Sequence, residues 1–133
     1  MIYLDTSAFV KLVRAERETP ALQAFLRGRP GARPVSSALL VVETRRAVLR
    51  EAPDQLARAD LLLTRIDQVD VTRSVLEAAS RLPDPALRSL DAIHLATAQA
   101  VFGDDLTAFV SYDRRLLDTA RAIGLPTASP GVD

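Results

Sequence analysis

The sequence predicts an α/β fold: a three-layer α/β/α domain with a central, mostly parallel sheet covered by helices on both faces. Three observations carry this. Short apolar runs of strand length alternate with longer segments of helical period, the order that builds βαβ units. Ile2-Tyr3-Leu4 and Ala108-Phe109-Val110 are apolar throughout rather than alternating, as strands buried on both faces are. A length of 133 residues with 48% hydrophobic content suits one compact domain, 1–133, with its own core.

Ile2-Tyr3-Leu4 reads as a buried strand ending at Asp5-Thr6-Ser7, a helix start. Helices follow over Ala8 to Arg14 and Thr19 to Leu26. Gly28-Arg29-Pro30-Gly31 is a turn. Arg33 to Ser36 is a second strand, and Ser37 can cap a helix reaching about Glu51. Pro53-Asp54 breaks that helix, and another from about Gln55 to Arg65 folds back as a hairpin. Gln68 to Val71 is a third strand, followed by a helix capped by Thr72 or Ser74 and running to about Leu82. Pro83-Asp84-Pro85 is a loop. Ser89 opens an alanine-rich helix to about Val101. Ala108 to Ser111 is the fourth strand, Asp113 to Ile123 the last helix, and a short fifth strand lies near Pro126 to Ala128. The tail after Ser129 reads as loose.

Several classes are set aside at once. With no cysteine and one histidine, His94, a disulfide scaffold, a thiolate zinc site and a cysteine nucleophile are excluded. There is no phosphate-binding Gly-rich loop of the Walker or dinucleotide type and no Gly-x-Ser-x-Gly elbow. Leu4-Asp5-Thr6-Ser7 lacks the second aspartate that an aspartyl-phosphate phosphatase needs, since that position is Ser7. Met1 to Asp5 carries no basic segment followed by an apolar core, and the longest apolar run, Ala38 to Val42, is too short for a bilayer. The expectation is a soluble, cytoplasmic protein with no membrane partner. Charge is uneven. Residues 1–52 hold nine Lys/Arg against five Asp/Glu, and residues 53–133 hold eight against twelve. Sixteen of the seventeen bases are arginine, which suits phosphate and equally suits ordinary solvated faces.

Four carboxylates stand out. Asp5 and Asp113 each follow a strand, where open α/β sheets place their ligand groups, and each can also serve as a helix N-cap. Asp91 lies in the first turn of the alanine-rich helix, where the helix dipole favours negative charge. Glu43 shares a helix face with Leu39, Leu40 and Ala47, so it interrupts an apolar stripe. A buried carboxylate needs a partner, either an arginine or a cation. If the first and fourth strands are neighbours, Asp5 and Asp113 meet, and clustered carboxylates demand a counterion. Oxygen donors select Mg²⁺ or Mn²⁺. Thr6, Ser7 and Ser111 are candidate supporting hydroxyls. His94 reads as a packed or hydrogen-bonded histidine, and Arg114 either meets phosphate or faces solvent. Leu61-Leu62-Leu63 and the arginines of the hairpin read as a partner surface or as an ordinary core-facing pair of helices.

Tyr3-Leu4-Asp5-Thr6-Ser7-Ala8, Glu43, Leu90-Asp91-Ala92-Ile93-His94-Leu95-Ala96-Thr97-Ala98 and Val110-Ser111-Tyr112-Asp113-Arg114-Arg115-Leu116, in that order, resemble the PIN-domain nucleases. The likeness is greatest to the VapC-type toxins of bacterial toxin–antitoxin pairs. The resemblance implies a sheet ordered 3-2-1-4-5 and Mg²⁺- or Mn²⁺-dependent endoribonuclease activity, with metal-activated water hydrolysing RNA. It assigns Asp5, Glu43, Asp91 and Asp113 to the catalytic metal site. It also implies a homodimer and a cognate VapB-like antitoxin as partner. The alternatives are a catalytically silent PIN-like module that binds RNA or a partner, and an enzyme acting on another phosphate substrate.

Overall fold

The computed structural model describes residues 1–132. Among them, five strands form a parallel sheet in the order β3-β2-β1-β4-β5. The strands are β1 (Ile2–Leu4), β2 (Pro34–Ser37), β3 (Asp67–Val69), β4 (Ala108–Val110) and β5 (Thr127–Ala128). The helices are α1 (Thr6–Val13), α2 (Thr19–Arg27), α3 (Leu39–Glu51), α4 (Leu56–Leu63), α5 (Arg73–Ser80), α6 (Ser89–Thr97) and α7 (Arg114–Ala122). No helix among the described residues is long and apolar enough to cross a membrane.

Side chains alternate across a strand, and that alternation sorts the core into two layers. Ile2 and Leu4 of β1, with Ala108 and Val110 of β4, pack against α1 to α4 through Phe9, Leu22, Leu40, Val48 and Leu63. Tyr3, Val35 and Phe109 point to the opposite face and meet Leu95, Phe102 and Leu116. Tyr3 and Phe109 are register partners on adjacent strands, and their rings stack 5.3 Å apart. Each fully buried side chain of this size contributes about 1.5–3 kcal/mol.

The chain order reverses between β1, which is flanked by β2, and β4, and this is the switch point of the sheet. α1, α5 and α7 start from side-chain caps, the first and last of them at this switch point. Asp5 Oδ1 accepts from Ala8 N at 2.9 Å, Asp113 Oδ1 from Leu116 N at 3.2 Å, and Thr72 Oγ1 from Val75 N at 3.2 Å. Ser37 Oγ accepts from Leu39 N at the start of α3. Arg58 donates to the carbonyls of Val13 and Leu12, closing the carboxyl end of α1.

Three expectations need correction. The alanine-rich helix does not run regularly to Val101: α6 ends at Thr97, and Ala98–Phe102 forms a wider π-helical turn that stops at Gly103 with a positive φ of 44°. α4 begins at Leu56 after a 3₁₀ turn over Pro53–Gln55 and ends at Leu63. The tail is not loose through residues 130–132: the Tyr112 hydroxyl donates to Pro130 O, and Val132 N to Ser129 O. Asp133, the last residue of that tail, lies outside the described residues.

Candidate active site: an acidic cleft at the switch point

β1 and β4 pair through Leu4 and Val110, and Asp5 N continues the ladder by donating to Val110 O. The next residue on β4's side is Ser111, so Asp5 and Ser111 emerge side by side. Ser111 Oγ donates to Asp5 Oδ2 at 2.6 Å. Ser7 Oγ donates to Asp5 Oδ1 at 2.7 Å. Both hydroxyls in turn accept backbone donors: Tyr112 N to Ser7 Oγ, and Asp113 N to Ser111 Oγ. Asp5 is buried and is held by three donors. A carboxylate offers about four lone-pair sites, so one remains for a further partner.

Asp5, Thr6, Ser7, Glu43, Asp91, His94 and Asp113 line one cleft of about 370 Å³, with Arg88, Ser89 and Leu90 completing its wall. The four acids singled out in the sequence therefore share a single cleft. They come from the ends of β1 and β4, the first turn of α6 and the middle of α3.

Their electrostatics show the crowding. Burial pushes the Asp5 carboxyl above its ordinary value, against the hydrogen bonds from Ser111 and Ser7. Asp91 is also pushed up, first by burial and then by the charges of Asp113, Asp5 and Glu43. Glu43 runs the other way. Burial raises it, but the hydrogen bonds from His94 and Thr6 outweigh that and hold it below the usual range.

The partner of Glu43 corrects one expectation left open in the sequence. It is not an arginine. His94 Nε2 lies 2.5 Å from Glu43 Oε1, and Thr6 Oγ1 donates to the same oxygen at 2.8 Å. His94 is a hydrogen-bonded core histidine, with Nδ1 2.7 Å from the Tyr3 hydroxyl. Arg114 is exposed and does not line the cleft. Arg88 and Arg115 instead flank Asp91 and Asp113 in an adjoining hollow. Tyr3 reads from the sequence as one more apolar strand residue, and nothing local marks its hydroxyl as part of the site.

Among the described residues, no three His, Asp or Glu side chains converge into a finished metal cage. The donor set nevertheless fits Mg²⁺ or Mn²⁺. It is built of carboxylate and hydroxyl oxygens, and Mg²⁺ characteristically binds one or two carboxylates while keeping several waters.

Residues 2–122 match the family model of the PIN domain. This chain belongs to the PIN-domain family. Across 132 residues, 98% of both chains, it is 46% identical to Ribonuclease VapC35 of Mycobacterium tuberculosis. The PIN fold is similar to that of Mycobacterium tuberculosis VapC20, a sarcin–ricin loop cleaving toxin, with a TM-score of 0.76 at 17% identity over 98% of this chain and 100% of that one. It is also similar to a chain of a toxin–antitoxin complex from Klebsiella pneumoniae, with a TM-score of 0.73 at 20% identity over 98% of each.

Proposed function

We propose that this PIN domain is a divalent-metal-dependent endoribonuclease, the toxin of a VapBC-type toxin–antitoxin pair. One observation carries the reading: four carboxylates from distant parts of the chain line one cleft at the sheet's switch point. A pure RNA binder gains nothing from such a cluster, because phosphate is drawn to positive charge. The 46% identity to a ribonuclease over nearly the whole chain supports RNA as the substrate. That substrate puts the protein's work in the cytoplasm.

In this reading Asp5 and Asp91 ligate the cation directly, while Glu43 and Asp113 hold it through water or orient the attacking water. A bound Mg²⁺ or Mn²⁺ supplies Lewis acidity, lowering the pKa of a water and countering charge on the phosphoryl group. The chain does the aiming. Ser7 and Ser111 fix both oxygens of Asp5, and Thr6 fixes Glu43. Arg88 and Arg115, beside Asp91 and Asp113, are placed to meet the phosphates that flank the scissile bond.

The VapB-like antitoxin and the homodimer draw on the α3–α4 hairpin. Val42 and Leu49 of α3 and Leu61 of α4 are exposed, while Leu63 is buried in the core, so the leucine series divides between surface and interior. A groove of about 220 Å³ between α1 and α3 starts at Thr6 and Ser7 and runs past Val10 and Ala47 to Arg14 and Arg50. It leads from the acidic cleft to an end where Glu16 and Glu51 accompany the two arginines, and in this reading it takes the antitoxin tail. Incubating purified protein with structured RNA tests the activity. Cleavage in Mg²⁺ or Mn²⁺ that EDTA abolishes is expected. Metal-independent cleavage, or none in any divalent ion, would overturn the assignment.

A further inference from the structure

His94 is not one of the four acids, yet it is buried against one of them, and both of its ring nitrogens are engaged. Nδ1 faces the Tyr3 hydroxyl at 2.7 Å and Nε2 faces Glu43 Oε1 at 2.5 Å. The Tyr3 side chain is itself wholly buried, and a phenol carries its proton at neutral pH.

Where that proton goes follows from the neighbours. The Ser36 and Thr97 hydroxyls lie beside the phenol, but each spends its one proton elsewhere. Ser36 donates to Leu4 O at 2.7 Å, and Thr97 to Ile93 O at 2.6 Å. A hydroxyl has a single proton and two lone pairs. Neither Ser36 nor Thr97 has a proton left for the phenol, and Nε2 faces a carboxylate and so carries hydrogen, which in the neutral ring leaves Nδ1 to accept the phenol's proton. An imidazole whose Nδ1 accepts carries its hydrogen on Nε2, and Nε2–H points at Glu43. Thr6 adds a second donor to the same Oε1, which leaves Oε2 of Glu43 engaged by neither.

We propose that Tyr3 and His94 are positioning residues: a buried relay in which the phenol fixes the imidazole tautomer and the imidazole pins Glu43 Oε1, presenting Oε2 to the cation or water in the cleft. The proposal rests on the nuclease reading. Partners behind a ligating carboxylate typically govern metal affinity or activity by about 10- to 100-fold. The register supports the relay, because Tyr3 and Asp5, two residues apart, fall on one side of β1, the side where Tyr3 packs with Leu95 of α6.

His94 is the sole histidine, so its ring nitrogens give unambiguous signals in the uniformly ¹⁵N-labelled full chain. Long-range ¹H–¹⁵N correlation at neutral pH without metal is expected to show the Nε2–H tautomer, and Tyr3→Phe is expected to lose that preference. A wild-type Nδ1–H tautomer would overturn the relay. His94→Leu is expected to lower kcat on structured RNA and the affinity for Mn²⁺ by about 10- to 100-fold, with KM for RNA little changed. His94→Gln, whose amide can donate to Glu43, is expected to restore most of both. A folded His94→Leu with wild-type kcat and Mn²⁺ affinity contradicts the proposal, as does a His94→Gln no better than His94→Leu. Should His94→Leu fail to fold, Tyr3→Phe decides, because it retains the ring stacked on Phe109. Wild-type tautomer and kcat in Tyr3→Phe would then overturn the relay. A wild-type protein that cuts no RNA refutes the nuclease reading separately, since tautomer and Mn²⁺ affinity are read without cleavage.

Discussion

Ser111 donates a 2.6 Å hydrogen bond to Asp5 Oδ2, joining residues at the carboxyl ends of β1 and β4 that stand 106 positions apart in the chain. The same serine accepts from Asp113 N. Two of the four acids are therefore tied to one hydroxyl at the seam where the sheet changes direction.

Asp5 has two tasks, and substitution separates them. Asparagine still caps α1 by accepting from Ala8 N, whereas alanine removes the cap, a loss of about 0.5–2 kcal/mol, and leaves Ser7 and Ser111 without their acceptor. Asp5→Asn is expected to abolish RNA cleavage with little change in urea midpoint. Asp5→Ala is expected to abolish cleavage and lower the midpoint as well. Cleavage by Asp5→Asn at the wild-type rate would remove Asp5 from the site.

Stability should depend on pH in a defined direction. Asp5 is raised by burial, and Asp91 by burial together with its acidic neighbours. Each binds its proton more tightly in the folded chain, so stability falls as pH rises from the ordinary carboxylate value through the raised one. Glu43, held low mainly by His94 against its burial, acts in a lower window. Its contribution is present above the ordinary value and is lost as pH falls through the depressed one. Metal-free protein should thus show a falling Tm as pH climbs through the upper window. Asp91→Asn should flatten that fall and raise Tm at neutral pH while eliminating cleavage. A Tm for Asp91→Asn below wild type at neutral pH would contradict the crowding of charge.

Divalent metal should reverse the same repulsion. Mn²⁺ at one hundred times its Kd stabilises by about 2.7 kcal/mol through mass action, read as a rise in Tm. Asp5→Asn and Asp91→Asn are expected to respond weakly, and an equal rise in all three proteins would place the ion elsewhere.

The groove between α1 and α3 offers a test of partner binding apart from chemistry. Ala47 lines it and is not among the residues lining the acidic cleft. Ala47→Glu is expected to weaken capture by the co-expressed cognate antitoxin, measured by co-purification, and to leave RNA cleavage near wild type. Unimpaired capture would move the antitoxin path off this groove.

Much of this arrangement is legible in the residues themselves. Apolar runs ending in Asp5 and Asp113 mark strand ends, because an acid cannot continue a strand buried on both faces, and the spacing of Leu39, Leu40 and Ala47 exposes Glu43 as an intruder in an apolar stripe. What stays hidden is the identity of partners across long separations. Arginine is abundant and histidine single, so the residues leave Glu43 open to an arginine or a cation, and the fold adds His94 as its base. Tyr3 looks apolar because its ring packs as one, and its hydroxyl acquires a task only when α6 lies over β1. The π-helical turn at Ala98–Phe102 is invisible for a similar reason, since an alanine-rich run favours regular helix. Arg114 and Arg115 are adjacent and alike in type, so which of them faces the acids is a matter of helix rotation.

Anomalous scattering from a crystal grown in Mn²⁺ examines the acidic cleft most directly. A Mn²⁺ peak between Asp5 and Asp91, lost in Asp91→Asn, is the expected result. No peak in that cleft at millimolar Mn²⁺, or a peak bound only outside it, would contradict the metal-dependent nuclease.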